Sequence, residues 1–356
     1  MKEKVLLGMS GGLDSTYSVV QLRKMGYDVV GAVLKMSDNT DVEKARQVAE
    51  TLGVPLHVVD CSKRFQDVVV RDFLTEYAAA RTPNPCVICN RYVKIESLCE
   101  CARSLGISHV ATGHYANIGY DAESGRYFVR KASDAKKDQS YVLWRLTQEQ
   151  LSMLMLPLAE REKKDVRADA IAMDLPSADA EESQEICFIP TNDYISYIEE
   201  AIGKFPEGDF LDEEGRVLGQ HRGIIHYTIG QRKGLGLSLG KPGFVTTIDP
   251  MANTVTVVSD ETKIFSTHLV CDTLNFQKLI PMENGVIRAE GKVRYAAKPV
   301  MATVKIKGDV AEVDFDSPVR AVTPGQSVVF YEGDTLLFGG IIRPPKSISN
   351  QNRGSQ

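Results

Sequence analysis

The stretch Gly8-Met9-Ser10-Gly11-Gly12-Leu13-Asp14-Ser15 decides the fold of this chain. A short apolar run precedes it at residues 5–7, and a segment of helical periodicity follows it at residues 16–25. A strand, a glycine turn and a helix in this order direct backbone N–H groups and a helix N-terminus at an anion. Gly11 and Gly12 permit positive φ angles and close approach of a phosphate group. The stretch therefore predicts a phosphate-binding turn in an α/β domain.

The turn differs from the two commonest phosphate-binding motifs, because it lacks both the Gly-Lys-Ser/Thr ending of the P-loop and the G-x-G-x-x-G dinucleotide fingerprint. The pattern S-G-G-x-D-S at residues 10–15 resembles the signature of the ATP pyrophosphatases. That resemblance implies cleavage of ATP between the α- and β-phosphates, with adenylation of a substrate oxygen. We expect Mg²⁺ to accompany the phosphates, with Asp14 as a ligand directly or through water.

Composition narrows the class of protein. With 356 residues, 43% hydrophobic and 25% charged, the chain is long enough for two or three globular domains. No apolar run is long enough for a membrane span, and the N-terminus lacks the shape of a signal peptide, so we expect a cytoplasmic protein. A net charge of −5 disfavours a protein that coats nucleic acid, although it leaves room for a local basic surface. An odd count of seven cysteines favours reactive or metal-binding thiols over a disulfide framework.

The N-terminal part alternates between strands and helices. Apolar runs at residues 4–7, 29–34, 56–59 and 109–112 are separated by helical patterns at residues 16–25, 42–52, 64–80 and 91–105. This alternation predicts a doubly wound parallel sheet, in which ligands bind beyond the carboxyl ends of the strands. Residues 118–132 predict a hairpin, and residues 146–156 and 162–173 predict helices.

From about Gly208 onward the helical periodicity fades and alternating apolar residues predict an all-β region. We therefore expect an ATP-pyrophosphatase catalytic domain over residues 1–200, a small central β-rich module over residues 201–265, and a C-terminal β-barrel over residues 266–346. The polar residues 347–356 predict a disordered tail.

A second dense motif, Thr82-Pro83-Asn84-Pro85-Cys86-Val87-Ile88-Cys89-Asn90, carries two cysteines. Asn84 is a favourable N-cap and Pro85 is favoured at the first helical position. Cys86 and Cys89 then share one face of a first turn, where a helix N-terminus lowers a thiol pKa. Two buried structural residues are the alternative. A zinc site would need Cys99 and Cys101 as well, and these two point apart on a helix.

Several motifs occur in an order that resembles the bacterial tRNA-specific 2-thiouridylases of the MnmA type, over almost the whole chain. These enzymes replace the C2 oxygen of the wobble uridine by sulfur. Beside the glycine turn and the cysteine motif, the resemblance rests on Gly113-His114-Tyr115-Ala116, Lys137-Asp138-Gln139-Ser140-Tyr141, residues 183–190, Gly230-Gln231-Arg232-Lys233-Gly234-Leu235 and Thr323-Pro324-Gly325-Gln326.

The resemblance implies roles for the matching residues. Cys187 would carry sulfur as a persulfide, and Cys89 would resolve it, leaving a Cys89–Cys187 disulfide. The implied ATP contacts are Gly8, Met9, Ser10, Gly11, Gly12, Leu13, Asp14, Ser15, Leu34 and Gly113. The implied tRNA contacts are Asn84, Pro85, Cys86, His114, Lys137, Asp138, Gln139, Ser140, Arg294, Tyr295 and Gln326. The implied partners are tRNA and an upstream sulfur donor, such as a cysteine desulfurase or a sulfur relay protein, and we expect a monomer.

Two alternatives stay open at this level. Many members of the family carry Asp at the position of Cys86, and the cysteine here could join Cys89 and Cys187 as ligands of a [4Fe–4S] cluster that binds sulfide. The chain could also be an ATP-pyrophosphatase synthetase with another acceptor, although such an enzyme needs no paired cysteines. A non-catalytic RNA-binding protein is disfavoured by the intact glycine turn and both thiols.

Overall fold

The computed structural model describes residues 2–179, 186–189, 191 and 193–345, and its N-terminal part is built on a parallel sheet. The strands of this part are β1 (Lys4–Gly8), β2 (Asp28–Lys35), β3 (Leu56–Asp60), β4 (His109–Ala111), β5 (Asn117–Asp121), β6 (Arg126–Arg130) and β7 (Leu154–Met155). Five of them form an all-parallel sheet of order β3-β2-β1-β4-β7. The carboxyl ends of β1, β2 and β4 therefore meet at one edge, as the alternating sequence predicts.

The helices among the described residues are α1 (Leu13–Lys24), α2 (Val42–Thr51), α3 (Ser62–Phe65), α4 (Arg71–Ala78), α5 (Pro85–Cys89), α6 (Ile95–Ser104), α7 (Gln148–Met153), α8 (Lys163–Ala172) and α9 (Tyr194–Ile202). Turns of π-helix at Gln66–Val70 and Asn90–Lys94 interrupt two segments for which periodicity predicts ordinary α-helix. The prediction of a helix through residue 156 is wrong at its end, because β7 pairs with β4 at the edge of the sheet instead. Short 3₁₀ turns occur at Ser140–Leu143, Ile224–His226 and Glu261–Ile264.

A small central sheet follows, made of β8 (Gly208–Leu211), β9 (Val217–His221), β10 (Phe244–Asp249) and β11 (Thr254–Val258) in the order β10-β11-β8-β9. Its buried face shares one apolar cluster with the first part of the chain. Phe210 and Val255 of the central sheet belong to the same cluster as Phe65, Cys89 and Phe188. Burial of apolar area in this cluster therefore holds the central sheet against both cysteine segments.

The C-terminal strands close into a barrel. They are β12 (Phe265–Phe276), β13 (Asn284–Lys292), β14 (Val300–Lys307), β15 (Val310–Arg320), β16 (Ser327–Glu332) and β17 (Thr335–Ile342), and the pairing of β12 with β17 completes the ring. The hairpin β5–β6, which is predicted correctly, joins the rim of this barrel through Thr335 and Arg130 rather than the parallel sheet. The predicted fold class is confirmed, the domain boundaries stay a prediction, and the predicted tail lies outside the described residues.

A cavity of about 300 Å³ lies between the barrel and the first part of the chain. Charged side chains line it, namely Asp72, Glu76, Arg81, Arg145, Asp272 and Arg343. Burial, reinforced by the charge of Glu76, raises the pKa of Asp72 to about 6. A carboxylate with a raised pKa opposes folding once it is charged.

We expect the substitution Asp72→Asn to stabilise the protein near pH 7.5 and to have little effect near pH 4. The folded pKa of Asp72 lies above its unfolded value of about 4, so stability is lost as pH rises through about 6, and an amide removes that loss. Thermal unfolding at both pH values measures the effect. Asp67→Asn is the matched control, because Asp67 is ion-paired with Lys63 and its pKa is lowered. A lower unfolding temperature for Asp72→Asn than for wild type near pH 7.5 would contradict the expectation.

Candidate active site

The phosphate loop, residues 8–15, connects β1 to α1. Gly11 has a φ of 75°, which favours glycine. The turn is held from within, since Ser15 Oγ and Thr16 Oγ1 both donate to the carbonyl of Gly12, at 3.0 and 2.9 Å. Gly12 is the N-cap of α1 and has no side chain that could accept an N–H of the first turn, so these N–H groups lack a side-chain cap. The loop has the features of an anion site.

A second glycine closes the loop from behind. A Cβ atom on Gly113 would lie 3.0 Å from the carbonyl carbon of Asp14 and 3.1 Å from the nitrogen of Ser15. Any larger residue would push the loop away from its place. The sequence assigns Gly113 to ATP, and the geometry gives it this tight contact with the phosphate loop.

Asp14 is held by two groups that sequence reasoning missed. Its Oδ1 accepts hydrogen bonds from Lys163 Nζ at 2.6 Å and from the Tyr115 hydroxyl at 2.8 Å. Lys163 is buried at the start of α8, 149 positions further along the chain. No local pattern marks this lysine, because only the packing of α8 on α1 brings it to the loop. The charge of Asp14 is thus balanced within the protein.

A cavity of about 560 Å³ opens above the phosphate loop, within the size range of small-molecule sites. It collects most of the residues predicted to contact ATP, namely Gly8, Met9, Ser10, Asp14, Ser15, Leu34 and Gly113. His114, Gln139 and Cys187 line it too. Gly11, Gly12 and Leu13 do not, and Leu13 packs in a small core with Tyr17 and Tyr115. One cavity therefore joins the phosphate loop to a predicted catalytic thiol.

Cys187 is anchored by its apolar neighbours. Phe188 and Ile189 are buried, and the Phe188 ring packs edge-on against Phe65 and Phe73 at centroid distances of 5.5 and 5.3 Å. The Cys187 residue itself is exposed at the wall of the cavity. Residues 183–185 and 190 of the predicted motif lie outside the described residues. The anchor fixes the position of the thiol while leaving it open to reagents.

Cys86 and Cys89 differ in their surroundings, although both lie on α5. Cys86 is exposed, whereas Cys89 is buried with its Sγ 3.9 Å from Met36 Sδ. Burial raises the pKa of Cys89 to about 12, and desolvation by the surrounding cavity wall raises the pKa of Cys187 even though part of its surface is exposed. The expectation that a helix N-terminus lowers the pKa is wrong for Cys89, because desolvation dominates. Both thiols are free in the structure.

Lys94 is a further residue of the cavity that the sequence did not single out. It ends the π-helical turn that begins directly after Cys89 and lines the cavity with His114 and Cys187. Burial lowers its pKa, and the influence of Cys89, Cys86 and Cys187 more than offsets this, so the net direction is upward. Burial and the charge of Lys94 lower the pKa of His114 to about 3, which keeps that imidazole neutral.

The predicted tRNA contacts fall into two groups. The first group surrounds Tyr295, which is 43% exposed. Burial raises the pKa of its hydroxyl, and Asp138, Lys137 and Cys86 also act on that pKa, so these residues lie near Tyr295. The side chains of Asp138 and Ser140 instead face inward, where Ser140 Oγ donates to Asp138 Oδ2 at 2.8 Å. Gln139 Oε1 accepts from the backbone N–H of Tyr115 at 2.9 Å.

Two predicted tRNA contacts on the barrel bind protein backbone. Gln326 Nε2 donates to the carbonyls of Thr82 and Pro83 at 3.0 and 3.1 Å. Arg294 donates to the carbonyls of Arg320 and Ala321 at 2.6 and 2.9 Å. Gln326 therefore holds the segment that leads into α5. The side chain of Asn84 forms a hydrogen bond with the Tyr141 hydroxyl. Burial raises the pKa of Tyr141, and this hydrogen bond offsets part of the increase.

Among the described residues, no group of three His, Cys, Asp or Glu side chains is gathered closely enough to hold a single metal ion. A [4Fe–4S] cluster is a different case, because each cysteine binds a different iron. No helix in the described ranges is long and apolar enough to cross a membrane.

The chain matches three described families along its length. Residues 3–191 match the tRNA methyl transferase HUP domain, residues 195–259 the tRNA methyl transferase PRC-barrel domain, and residues 266–342 the aminomethyltransferase β-barrel domain. It is 45% identical over 359 residues to the tRNA-specific 2-thiouridylase MnmA of Acetivibrio thermocellus, covering 96% of this chain and 99% of that protein. It is 45% identical to the MnmA of Carboxydothermus hydrogenoformans and 42% identical to that of Clostridioides difficile, with 96% of this chain and 98% of each relative covered.

We expect iodoacetamide to modify Cys86 and Cys187 well before Cys89 in the native protein. The first two residues are exposed, whereas Cys89 is buried and its pKa is raised to about 12, so little of it is thiolate. Peptide mass mapping over time measures each rate, with buried Cys99 and Cys271 as internal controls and unfolded protein as the reference. Equal rates for Cys89 and Cys187 in folded protein would contradict the burial difference.

Proposed function

The chain belongs to the MnmA family of tRNA-specific 2-thiouridylases, and from that premise we propose how its own residues transfer sulfur to the wobble uridine of tRNA. Its relatives over nearly the full length are named tRNA-specific 2-thiouridylases, and the enzyme is accordingly an ATP-dependent tRNA-uridine 2-sulfurtransferase. The observation that carries the proposal is that Cys187 lines the same cavity as the phosphate loop. Activation by ATP and attack by sulfur then occur in one cavity.

The first step uses ATP, which enters as its Mg²⁺ complex. A uracil C2 carbonyl is a poor electrophile, and its oxygen is a poor leaving group. We infer that O2 attacks the α-phosphorus and that pyrophosphate departs while held by the phosphate loop. The uncapped N–H groups at the start of α1 and the hydroxyl of Ser10 suit that role. The step leaves uridine adenylated on O2.

The second step uses the two predicted catalytic cysteines. The terminal sulfur of a Cys187 persulfide attacks C2, and the C2–O bond breaks with its electron pair going to AMP. Cys89 then attacks the Sγ of Cys187, which breaks the sulfur–sulfur bond and releases 2-thiouridine. A Cys89–Cys187 disulfide remains, and a cellular thiol must reduce it. Exposure of Cys187 suits loading by a donor, and burial of Cys89 protects the resolving thiol until the end of the cycle.

The tRNA surface is assigned by proximity to the thiols. We place the target base beside residues 84–86 and propose that exposed Tyr295 stacks on RNA, with Lys137 near a phosphate. The side chains of Asp138 and Ser140 are buried, so we propose that these two residues contact tRNA through their backbone atoms. A base must leave the anticodon stack to enter the cavity. We propose that the central β-rich module, residues 201–265, also binds tRNA and that an upstream sulfur donor loads Cys187.

We expect turnover to release AMP and pyrophosphate only in the presence of tRNA, and to give tRNA in which sulfur replaces oxygen at the wobble uridine. Cys89→Ser and Cys187→Ser should each abolish thiolation, whereas Cys86→Asp should retain it, because a carboxylate occupies that position in related proteins. Cys101→Ser, a partly exposed thiol on α6, is the matched control and should be fully active.

Nucleoside mass analysis and separation of labelled nucleotides provide the measurements. ADP and phosphate as products would reject α–β cleavage, and an added methyl group instead of sulfur would favour the activity named by the matched domain descriptions. Iron-free protein that thiolates at full rate supports the persulfide route. An iron-free preparation that is inactive and recovers on anaerobic reconstitution would replace it by the cluster route.

We expect Lys137→Ala and Tyr295→Ala to weaken tRNA binding without changing ATP binding. Each removes one contact, a charge to phosphate or a stacking platform worth about 1–3 kcal/mol per base. Fluorescence anisotropy over a series of salt concentrations distinguishes the two variants. Only Lys137→Ala should reduce the slope of log affinity against log salt concentration, by about 1. Lys278→Ala is the control, since its ammonium is paired with Asp121. Unchanged affinity in both variants would remove these residues from the interface.

A further inference from the structure

Lys94 is the one lysine or arginine among the described residues that line the cavity above the phosphate loop. The other charged residues of the wall are Asp14 and Asp41. Lys163 balances the first, and the second caps α2 by accepting from the N–H of Lys44 at 2.9 Å. Besides burial, the groups of the described chain that influence the pKa of Lys94 are Cys89, Cys86 and Cys187, with no carboxylate among them. The raised pKa values of Cys89 and Cys187 keep those two thiols uncharged near neutral pH. Its positive charge therefore remains available to an anion in the cavity.

The backbone conformation around Lys94 brings its ammonium to the side of the cavity where the thiols lie. An ordinary α-helix would carry residues 89 and 94 to faces about 140° apart, because each residue advances about 100°. The π-helical turn at Asn90–Lys94 is wider, so residues five apart come much closer to one face. Lys94 thus shares a face with Cys89 and reaches the cavity wall that carries Cys187 and His114. Such turns occur frequently at functional sites.

The order of groups along the cavity decides which anion Lys94 meets. The phosphate loop takes the pyrophosphate end of ATP in the reaction proposed above, on which this inference rests. The sulfur of Cys187 must reach C2 of the uridine, and C2 is joined through O2 to the α-phosphate. A cation on the thiol side of the cavity therefore faces the α-phosphate and its bond to O2.

We propose that Lys94 is a catalytic residue that binds the α-phosphate and stabilises AMP as it leaves. When sulfur attacks C2, a C–S bond forms, the C2–O2 bond breaks, and its electron pair becomes a new charge on the phosphate oxygen. An ammonium in place before the reaction stabilises this developing charge in an enclosed site. Neutral His114 on the same wall adds no competing positive charge.

The experiment isolates the second chemical step. Adenylated tRNA is formed from ATP labelled at the α-phosphate, and label is followed as it passes from tRNA to free AMP after addition of a cysteine desulfurase with cysteine. The variants are Lys94→Met, Lys94→Arg and Lys63→Met, the last being a matched control at an exposed lysine of α3. Pyrophosphate release, ATP affinity and the mass of the Cys187 persulfide are measured on the same preparations.

We expect Lys94→Met to release pyrophosphate at a rate near that of wild type while losing AMP from tRNA roughly 100-fold more slowly, the usual effect of removing one donor to a developing oxyanion. Lys94→Arg should recover part of this rate, since it restores the charge, and Lys63→Met should match wild type. After the desulfurase and cysteine are added, labelled adenylated tRNA should persist longest with Lys94→Met.

Three results would overturn the proposal. A Lys94→Met protein that binds ATP weakly but clears bound AMP normally would make Lys94 a ground-state ligand of ATP. Loss of persulfide loading at Cys187 would make it a partner of the thiols. Equal rates for Lys94→Met and Lys63→Met would remove it from the reaction. Failure of wild type to form adenylated tRNA would instead reject the proposed function, so the two failures are distinguishable.

Discussion

The hydrogen bonds from the barrel to the segment before α5 are the contacts on which the site depends. Gln326 donates to the carbonyls of Thr82 and Pro83, and the N–H of Thr82 donates to the carbonyl of Pro324 at 2.9 Å. Pro83 and Pro85 cannot donate through their backbone nitrogens, so the segment has few other ways to be fixed. The C-terminal barrel, distant in sequence, therefore determines where the helix that carries Cys86 and Cys89 begins.

The two predicted catalytic thiols differ in burial, and this difference matches their proposed roles. The apolar cluster around Phe65 and Phe188 encloses Cys89 but leaves Cys187 at the cavity wall. A thiol that receives sulfur from another protein must be reachable, whereas a resolving thiol benefits from being protected and protonated until substrate arrives. Desolvation supplies that protection here and outweighs the effect of the helix N-terminus.

The charges in the wall of the cavity are largely paired within the protein. The phosphate loop needs a carboxylate in Asp14 to bind Tyr115 and Lys163, and this network joins the loop to α8. Gly113 packs against the same loop so closely that no side chain fits. With Asp14 balanced in this way, the cavity keeps one unbalanced cation among its described wall residues, on the side of the thiols. An anionic nucleotide complements that arrangement.

The sequence by itself determined the parallel sheet and the all-β C-terminal half, because both depend on local periodicity. It also determined the phosphate turn, which depends on glycine at residue 11, where φ is positive. Its motifs also indicated the family and both thiols. Only the tertiary structure decided that Lys163 neutralises Asp14 and that Gln326 holds Thr82 and Pro83. It also decided that the pKa of Cys89 is raised rather than lowered. These features depend on contacts between residues far apart in the chain and on desolvation by packing, neither of which a local sequence pattern encodes.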